Sequence, residues 1–294
     1  MIEKIYYFCN GLLQSILSIF KIIFRSKLIV SFPTISNKTL IVLGNGPSLK
    51  DELNYFQKSI FLQDIICVNN FPNTELYTVL KPKYFCIVAP GFFTASEDYN
   101  TKLRDTIIQS YVNNTSWESY IFIPFQAKKQ KHFIKNLASN SNISICFYNT
   151  TPIEGLDYIS NILFSLKLGM PRPHNVLIPA LMNGINLGYK KIYLIGADHS
   201  WLPEITVNAN NEVLINQKHF YDENTSTPKQ MHKNHGIKNR YLHEVLEKFY
   251  FSFRSYHDIN GYARCKNCRI INLTKNSFID AFQKQNLAEL ETFD

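Results

Sequence analysis

Seven short apolar segments restrict the fold of this sequence more than any other feature. Most of them are continuous rather than alternating, which is typical of strands whose two faces are both buried. The segments span residues 39–43, 64–68, 84–88, 120–123, 143–147, 191–195 and 270–273. Helical patterns lie between several of them, notably at residues 175–187 and 238–253. This order predicts an α/β fold with a doubly wound, mostly parallel, Rossmann-like sheet.

The composition agrees with a folded chain and leaves the class of partner open. Of the 294 residues, 45% are apolar and only 18% are charged, which argues against a disordered chain and a coiled coil. The net charge of +8 favours an anionic partner such as a nucleotide, a phospholipid or a nucleic acid. Nucleic acid is disfavoured, because the aromatic residues lie mostly in apolar segments and not in a basic stripe.

The cysteines favour a reduced chain without a structural metal. Four of the six lie singly in apolar segments, where cysteine behaves as a small hydrophobic residue. Only Cys265 and Cys268 have the spacing of metal ligands, and one such pair is half a zinc site at best. We therefore expect no metal site and a cytoplasmic location.

The N-terminal segment has the pattern of an amphipathic helix. Residues 5–20 carry no charge, and polar residues recur among them at three- and four-residue spacing, at Asn10, Gln14, Ser15 and Ser18. The opposite face is apolar and consists of Ile5, Phe8, Leu12, Leu13, Ile16, Phe20 and Ile23. The uninterrupted apolar stretch is shorter than the roughly 20 residues that span a bilayer.

Basic residues follow this helix and suggest where it binds. Lys21, Arg25 and Lys27 would meet anionic headgroups if the helix lay in the membrane interface. No A-x-A-like cleavage site follows, which disfavours a signal peptide. We expect residues 1–36 to form an interface helix that holds the protein on the inner face of the cytoplasmic membrane. The alternative is a helix docked on the protein's own core.

Two polar loops follow predicted strands and suggest a nucleotide site. Gly44, Asn45 and Gly46 come directly after the first strand, and Ser48 can cap the next helix, whose positive end attracts phosphate. Asn69 and Asn70 follow the second strand, where amides can read a base or a ribose. The P-loop and G-x-G-x-x-G patterns are both absent. The polar interval at about residues 200–236 predicts a lid over the same sheet edge.

These motifs together carry a family resemblance. Residues 44–50 (GNGPSLK), 67–71 (CVNNF) and 187–198 (LGYKKIYLIGAD) resemble the bacterial sialyltransferases of glycosyltransferase family 42 in order and spacing. Residues 246–250 (LEKFY) and 272–277 (NLTKNS) resemble the last helix and strand of that family. Motility-accessory glycosyltransferases and a pterin diphosphokinase-like group share the first motif. The resemblance implies a sialyltransferase-like GT-A variant, with a nucleotide-sugar-binding catalytic domain at residues 37–294.

The resemblance also implies a reaction and its binding residues. The activity would be a metal-independent, cofactor-free transfer of a nonulosonic or ulosonic acid, such as sialic acid or Kdo, from a CMP-activated donor to a saccharide acceptor of a bacterial surface glycan. Asn45 and Gly46 would hold the phosphate, while Asn69 and Asn70 would hold the cytidine and ribose. The donor-sugar candidates are Arg172, Asn175 and Ser200. Val176 stands where the family has a hydroxyl, which leaves the identity of the sugar open.

The catalytic candidates lie in the lid and at the end of the sixth strand. The resemblance favours His235 as the base that takes the acceptor proton, with His232 as the alternative. Tyr221 and His219 are the candidates for hydrogen bonds to the leaving phosphate. Asp198 either buttresses the lid or acts as the nucleophile of a double displacement that retains configuration.

Other function classes stay open at this stage. A diphosphokinase-like or other nucleotide-binding transferase would explain the glycine loop, but acidic pairs for Mg²⁺ are not evident near the predicted strand ends. A non-enzymatic membrane-associated binding module would explain the basic surface and the N-terminal helix. The acceptor is expected to be lipid-linked, and the protein can form a homo-oligomer.

Overall fold

The computed structural model describes residues 2–28, 31–35, 38–55, 59–94, 99–222, 225–233, 238–287 and 290. The helices of this part are Ile2–Arg25 (α1), Leu49–Asn54 (α2), Glu75–Leu80 (α3), Tyr99–Asn114 (α4), Lys131–Leu137 (α5), Asp157–Ser165 (α6), Leu177–Leu187 (α7) and Leu242–Cys265 (α8). The strands are Thr39–Leu43 (β1), Asp64–Val68 (β2), Tyr84–Cys86 (β3), Ser119–Pro124 (β4), Ile143–Tyr148 (β5), Lys191–Ile195 (β6), Ile205–Val207 (β7), Val213–Ile215 (β8), Lys229–Gln230 (β9), His232–Lys233 (β10), Lys238–Asn239 (β11), Arg269–Asn272 (β12) and Gln283–Lys284 (β13).

An eight-stranded sheet forms the centre of the molecule. Its strand order is β13-β12-β6-β1-β2-β3-β4-β5, and neighbouring strands run parallel. The chain adds β2 to β5 on one side of β1 and then returns to place β6 on the other side. The carboxyl ends of β1 and β6 therefore flank the switch point, where open α/β sheets bind ligands. The predicted doubly wound, mostly parallel sheet is confirmed.

Each face of the sheet has its own hydrophobic core, because side chains alternate along every strand. Leu40 and Val42 of β1 belong to one core, together with buried residues of α6, α7 and α8. Ile41 and Leu43 belong to the other core, together with residues of α2, α3, α4 and α5. This two-sided burial explains why the strands are continuous apolar segments in the sequence. Gly188, with φ of +103°, ends α7 in a left-handed cap.

The polar interval between β6 and α8 forms a small excursion from the main sheet. It contains a three-stranded antiparallel sheet, β7-β8-β9, and a two-stranded ribbon, β10-β11. Val213 and Ile215 pack against Val245 and Phe249 of α8 in a separate hydrophobic cluster. The excursion begins where β6 ends, so the excursion lies at the carboxyl edge of the sheet.

The N-terminal helix α1 docks on the rest of the protein through its polar stripe. The Ser18 hydroxyl donates a hydrogen bond to the Glu154 carbonyl over 2.8 Å and accepts one from the Glu154 N–H over 2.9 Å. The Ser15 hydroxyl accepts a hydrogen bond from the Leu156 N–H over 2.9 Å. Both serines are buried, at 1% and 0% exposure for Ser15 and Ser18. Ser15 and Ser18 of the stripe therefore form hydrogen bonds with backbone groups in the segment that follows β5.

The apolar face of α1 points away from the protein. The seven residues assigned to this face from the sequence are all exposed, and so are neighbours such as Tyr6, Tyr7 and Phe24. The alternative, a helix docked on the protein's own core, is met in part, because α1 docks through Ser15, Ser18 and the buried Ile22 while the assigned apolar face is exposed. In contrast to the sequence expectation of a stretch too short to span a bilayer, the 24-residue helix is long and apolar enough to cross a membrane, as are some core helices and signal sequences. The exposed apolar face and the length of α1 are weak support for membrane association.

Candidate active site

The loop after β1 lies directly against the end of β6. The Gly44 N–H donates to the Ile195 carbonyl and the Gly46 N–H to the Gly196 carbonyl, each over 2.8 Å. A Cβ atom on Gly44 would lie 2.3 Å from the Gly196 carbonyl oxygen, closer than atoms can approach. Both glycines are therefore required by close packing between two strand ends. The N–H groups of both glycines therefore form hydrogen bonds within the protein.

Asn45 presents an unused hydrogen-bond acceptor in this loop. Its side-chain Nδ2 donates to the Val68 carbonyl at the end of β2 over 3.0 Å. Its Oδ1 is buried and has no hydrogen-bond partner in the described part of the protein. Because Asn45 is only 9% exposed, this oxygen is shielded from water as well. A buried acceptor without a partner is costly, and a donor group on a ligand would satisfy it.

A turn of the excursion covers this loop. The Phe220 N–H donates to the Asn45 carbonyl over 3.2 Å, and the Phe220 ring lies 5.9 Å from that of Phe71. The amide groups of Asn70 and Asn45 interact as hydrogen-bond donors with the Tyr221 hydroxyl oxygen, which leaves Asn45 Oδ1 without a partner in the described residues. Burial raises the pKa of Tyr221, and these two amides offset only part of that rise. The hydroxyl is therefore a neutral hydrogen-bond donor at physiological pH.

His219 and Asp222 hold this turn in shape. The His219 ring stacks on Tyr221 with centroids 5.0 Å apart and an angle of 5°. The Asp222 carboxylate accepts hydrogen bonds from the His219 backbone N–H over 2.7 Å and from Nδ1 over 3.1 Å. The structure thus places His219 and Tyr221 next to the two asparagine loops, which contain Asn45 and Asn70. Asn69, in the second loop, has a left-handed backbone with φ of 49°.

A cavity of about 750 Å³ opens beside Tyr221. It lies between α2 and α3, and its polar wall includes Lys50, Asn73 and Thr74. Asn73 also donates a hydrogen bond to Asn70 Oδ1 over 2.6 Å, so the cavity adjoins the second asparagine loop. Volumes in this range suit a small organic ligand.

Two buried carboxylates fix the loops around the switch point. Asp198 Oδ2 accepts a hydrogen bond from the Ser48 hydroxyl over 2.9 Å. Glu52 accepts backbone hydrogen bonds from Gly196 over 2.8 Å and from Lys275 over 3.1 Å. Burial raises the pKa of both carboxyl groups, and the attached donors oppose this effect. Asp198 in this structure braces the glycine loop, and Glu52, which the sequence analysis missed, joins three segments.

A second hydrogen-bonded chain begins at His199, directly after Asp198. Its Nε2 lies 2.6 Å from the Tyr256 hydroxyl, which donates to Asn175 Oδ1 over 3.0 Å. Because Tyr256 has one proton to give, this network assigns the His199 proton to Nε2. Burial lowers the pKa of His199 to about 3, so the ring is neutral at physiological pH. Asn175 Nδ2 is a buried donor without a partner in the described residues.

The remaining sequence candidates have other surroundings or lie outside the described residues. Arg172 makes two hydrogen bonds to the Glu154 carboxylate, over 3.0 and 2.9 Å, and its guanidinium lies 3.9 Å from the centre of the Phe251 ring. Ser200 follows His199 and is half-buried. His232 is exposed on the β10-β11 ribbon. His235 lies outside the described residues.

Neither His199 nor Tyr256 was among the sequence candidates. The position of His199 directly after Asp198 was the available signal, whereas Tyr256 lies within a helical pattern typical of core residues. Among the described residues, no group of three His, Cys, Asp or Glu side chains is arranged to hold a metal ion.

Comparison with solved structures found a similar fold at low sequence identity. The fold is similar to that of the MAf glycosyltransferase from Magnetospirillum magneticum AMB-1, with a TM-score of 0.49 and 11% sequence identity. The alignment covers 91% of this chain, which spans only 36% of the length of the other. No protein-family model matches the sequence, and no curated protein sequence is similar to it.

The close approach of Gly44 to β6 can be tested with alanine. Gly44→Ala should lower the free energy of unfolding by about 1–3 kcal/mol, because the added Cβ meets a backbone carbonyl that cannot move aside. Gly261→Ala is the matched control, since nothing lies within 4 Å of a Cβ at that helical position. Gly261→Ala should raise the free energy of unfolding by about 0.5–1 kcal/mol. Urea unfolding measures both, and equal effects would contradict the proposed constraint.

The buried, neutral His199 predicts a pH dependence of stability. Its pKa is about 3 in the folded protein and about 6.5 unfolded, so the unfolded chain binds the extra proton between these values. The contribution of neutral His199 to the free energy of unfolding is complete above about pH 6.5. It is lost as the pH falls from about 6.5 towards 3. Wild type should lose about 2.5 kcal/mol more than His199→Asn between about pH 7.5 and 4.5. Urea unfolding at both pH values measures the difference, with His243→Asn at an exposed position as control.

Proposed function

We propose that this protein is a glycosyltransferase that moves an acidic sugar from a CMP-activated donor to a saccharide acceptor. The observation that carries the proposal is the buried, unpartnered Oδ1 of Asn45 at the switch point of the sheet. It lies in the first of the motifs that resemble the bacterial sialyltransferases. The second of those motifs supplies Asn70 and the third supplies Asp198, so all three motifs meet at one crevice.

The nucleotide would bind through uncharged polar groups. The amides of Asn45 and Asn70 lie next to the Tyr221 hydroxyl, and Asn73 lines the adjoining cavity. An amide offers both donors and an acceptor, so it can pair with the amino group and the carbonyl of cytosine. We propose that the nucleoside binds in the cavity between α2 and α3, whose charged lining residues are Lys50 and Glu75. No step in this scheme requires a metal ion or a cofactor.

The chemical step would be a direct displacement at the anomeric carbon. The acceptor hydroxyl oxygen forms the new bond to this carbon while the bond to the CMP phosphate oxygen breaks. The acceptor proton passes to His235, or to His232 as the alternative. Negative charge grows on the leaving phosphate, and the neutral Tyr221 hydroxyl and His219 can stabilise it by hydrogen bonds. CMP is the leaving product.

The position of Asp198 favours direct displacement over the two-step alternative. Its carboxylate is buried and accepts a hydrogen bond from Ser48, so it braces the glycine loop. A nucleophile for the retaining mechanism must reach the anomeric carbon. Asp198 is only 6% exposed, which limits such access, so Asp198 is proposed as a positioning residue.

Membrane association would bring the enzyme to its acceptor. The exposed apolar face of α1 would lie in the interface of the cytoplasmic membrane, on its inner side. The polar stripe holds α1 on the segment after β5, at the carboxyl edge of the same sheet that carries the candidate site. This arrangement suits a saccharide acceptor attached to a membrane lipid.

The first test is nucleotide binding in the presence of EDTA. A saturating excess of CMP, at about 100 times its Kd, stabilises the folded protein by about 2.7 kcal/mol, which raises Tm by several degrees. CDP, UDP and ATP should give smaller shifts. Asn70→Ala should reduce the CMP shift, whereas Asn114→Ala, at the exposed end of α4, should not. A shift that needs Mg²⁺ or that favours ATP would support a diphosphokinase-like enzyme instead.

The second test concerns the base. His235→Ala should lower kcat by about 10²-fold to 10⁴-fold, the usual contribution of an acid-base residue, while the CMP-induced Tm shift stays unchanged. His232→Ala is the matched variant on the neighbouring ribbon and should retain turnover. If only His232→Ala is inactive, the base has been assigned to the wrong histidine of the pair.

A further inference from the structure

The groove where the end of α1 meets the edge strand β5 has no role in the proposed reaction. Its volume is about 660 Å³. Its described walls come from the chain just after α1, from the turn after β4 and from β5, and consist of Ser26, Lys27, Leu28, Ser31, Phe125, Lys128, Ile145 and Phe147. We propose that this groove binds the phosphate headgroup of an anionic membrane lipid.

The charges around the groove favour an anion strongly. Residues 4–50, which include α1 and its end, contain no aspartate or glutamate. Residues 119–153, which include β4 and β5, contain none either. The two segments that form the groove therefore supply Lys27 and Lys128 without a local carboxylate to neutralise them. Two ammonium groups beside one opening make a site for a phosphate.

Aromatic rings give the groove an apolar wall and position one of the lysines. The Lys128 ammonium lies 5.4 Å from the centre of the Phe125 ring and 5.7 Å from that of Phe147. This cation–π contact holds the charge at the groove. A headgroup phosphate would meet the ammonium, while the rings and Ile145 would contact the apolar part of the lipid.

The groove continues from the exposed apolar face of α1. Phe24, in the last turn of the helix, is 83% exposed, and Leu28 at the groove is 84% exposed. The Asn149 side chain accepts a hydrogen bond from the Lys27 N–H over 3.0 Å and donates one to the Lys27 carbonyl over 2.8 Å. These bonds fix the end of α1 beside β5. A lipid whose chains contact α1 can thus place its phosphate between the two lysines.

The structure also changes which basic residues are available for this contact. Lys21, expected from the sequence to meet headgroups, has its ammonium 3.8 Å from the Glu154 carboxylate, which also holds Arg172. Lys128 was not expected, because it is about 100 residues away from α1 in the chain. The headgroup site rests on the proposed membrane contact of α1, but it does not depend on the sugar-transfer reaction.

Vesicle binding by the full chain tests this proposal. We would compare vesicles of phosphatidylcholine alone with an equimolar mixture of phosphatidylcholine and phosphatidylglycerol. Each lysine that contacts the headgroup contributes about 5-fold to the affinity for the anionic vesicles, so Lys27→Gln with Lys128→Gln should weaken it about 25-fold. Binding to phosphatidylcholine alone should be unchanged, because it depends on the apolar face of α1.

The matched control removes the same charge from the opposite edge of the sheet. Lys190, just before β6, and Arg264, in the last turn of α8, are exposed, so Lys190→Gln with Arg264→Gln should retain most of the affinity for the anionic vesicles. Equal losses in the two double variants would show a general effect of net charge and overturn the site. Unchanged binding of the groove variant, or an equal loss on phosphatidylcholine, would overturn it too. The CMP-induced Tm shift of the groove variant reports on the proposed enzyme separately and should match wild type.

Discussion

The contact between the loop after β1 and the end of β6 is the constraint on which the candidate site depends. Two backbone hydrogen bonds join these segments, and the atoms are so close that Gly44 and Gly46 have no room for a side chain. The contact sets where the loop turns and where Asn45 points. It also brings the third motif of the sequence beside the first, although about 150 residues separate Ser48 from Asp198.

Buried polar groups then hold this arrangement in one conformation. Glu52 binds the backbone at Gly196 and at Lys275, and therefore ties α2 to the ends of β6 and β12. His199, Tyr256 and Asn175 form a second chain of hydrogen bonds, which links the same strand end to α8 and to the start of α7. Such groups are costly to bury unless each finds a partner. Asn45 Oδ1 and Asn175 Nδ2 are among the buried atoms that lack a partner in the described part of the protein.

Sequence patterns predicted the sheet well because its strands are buried on both faces. The predicted bounds of β1, β2 and β6 agree with the structure to the residue. β13 was not predicted, since Gln283 and Lys284 are exposed and carry no apolar pattern. Residues of the candidate site at strand ends, such as Asn45 and Asn70, could be found from their motifs. Glu52 and Tyr256 could not, because their partners are distant in the chain and their positions look like ordinary helix positions.

The amphipathic pattern of α1 was predicted correctly from the sequence, but the pattern alone does not reveal which face of the helix contacts the protein. An amphipathic helix next to a folded domain ordinarily buries its apolar face, because that burial is what stabilises the contact. Here Ser15 and Ser18 instead complete hydrogen bonds of backbone groups at Glu154 and Leu156, which the sequence does not reveal. The apolar face is then left uncovered in the described part of the protein. An uncovered apolar face is unfavourable in water, so the proposed contact of α1 with a bilayer would remove this cost.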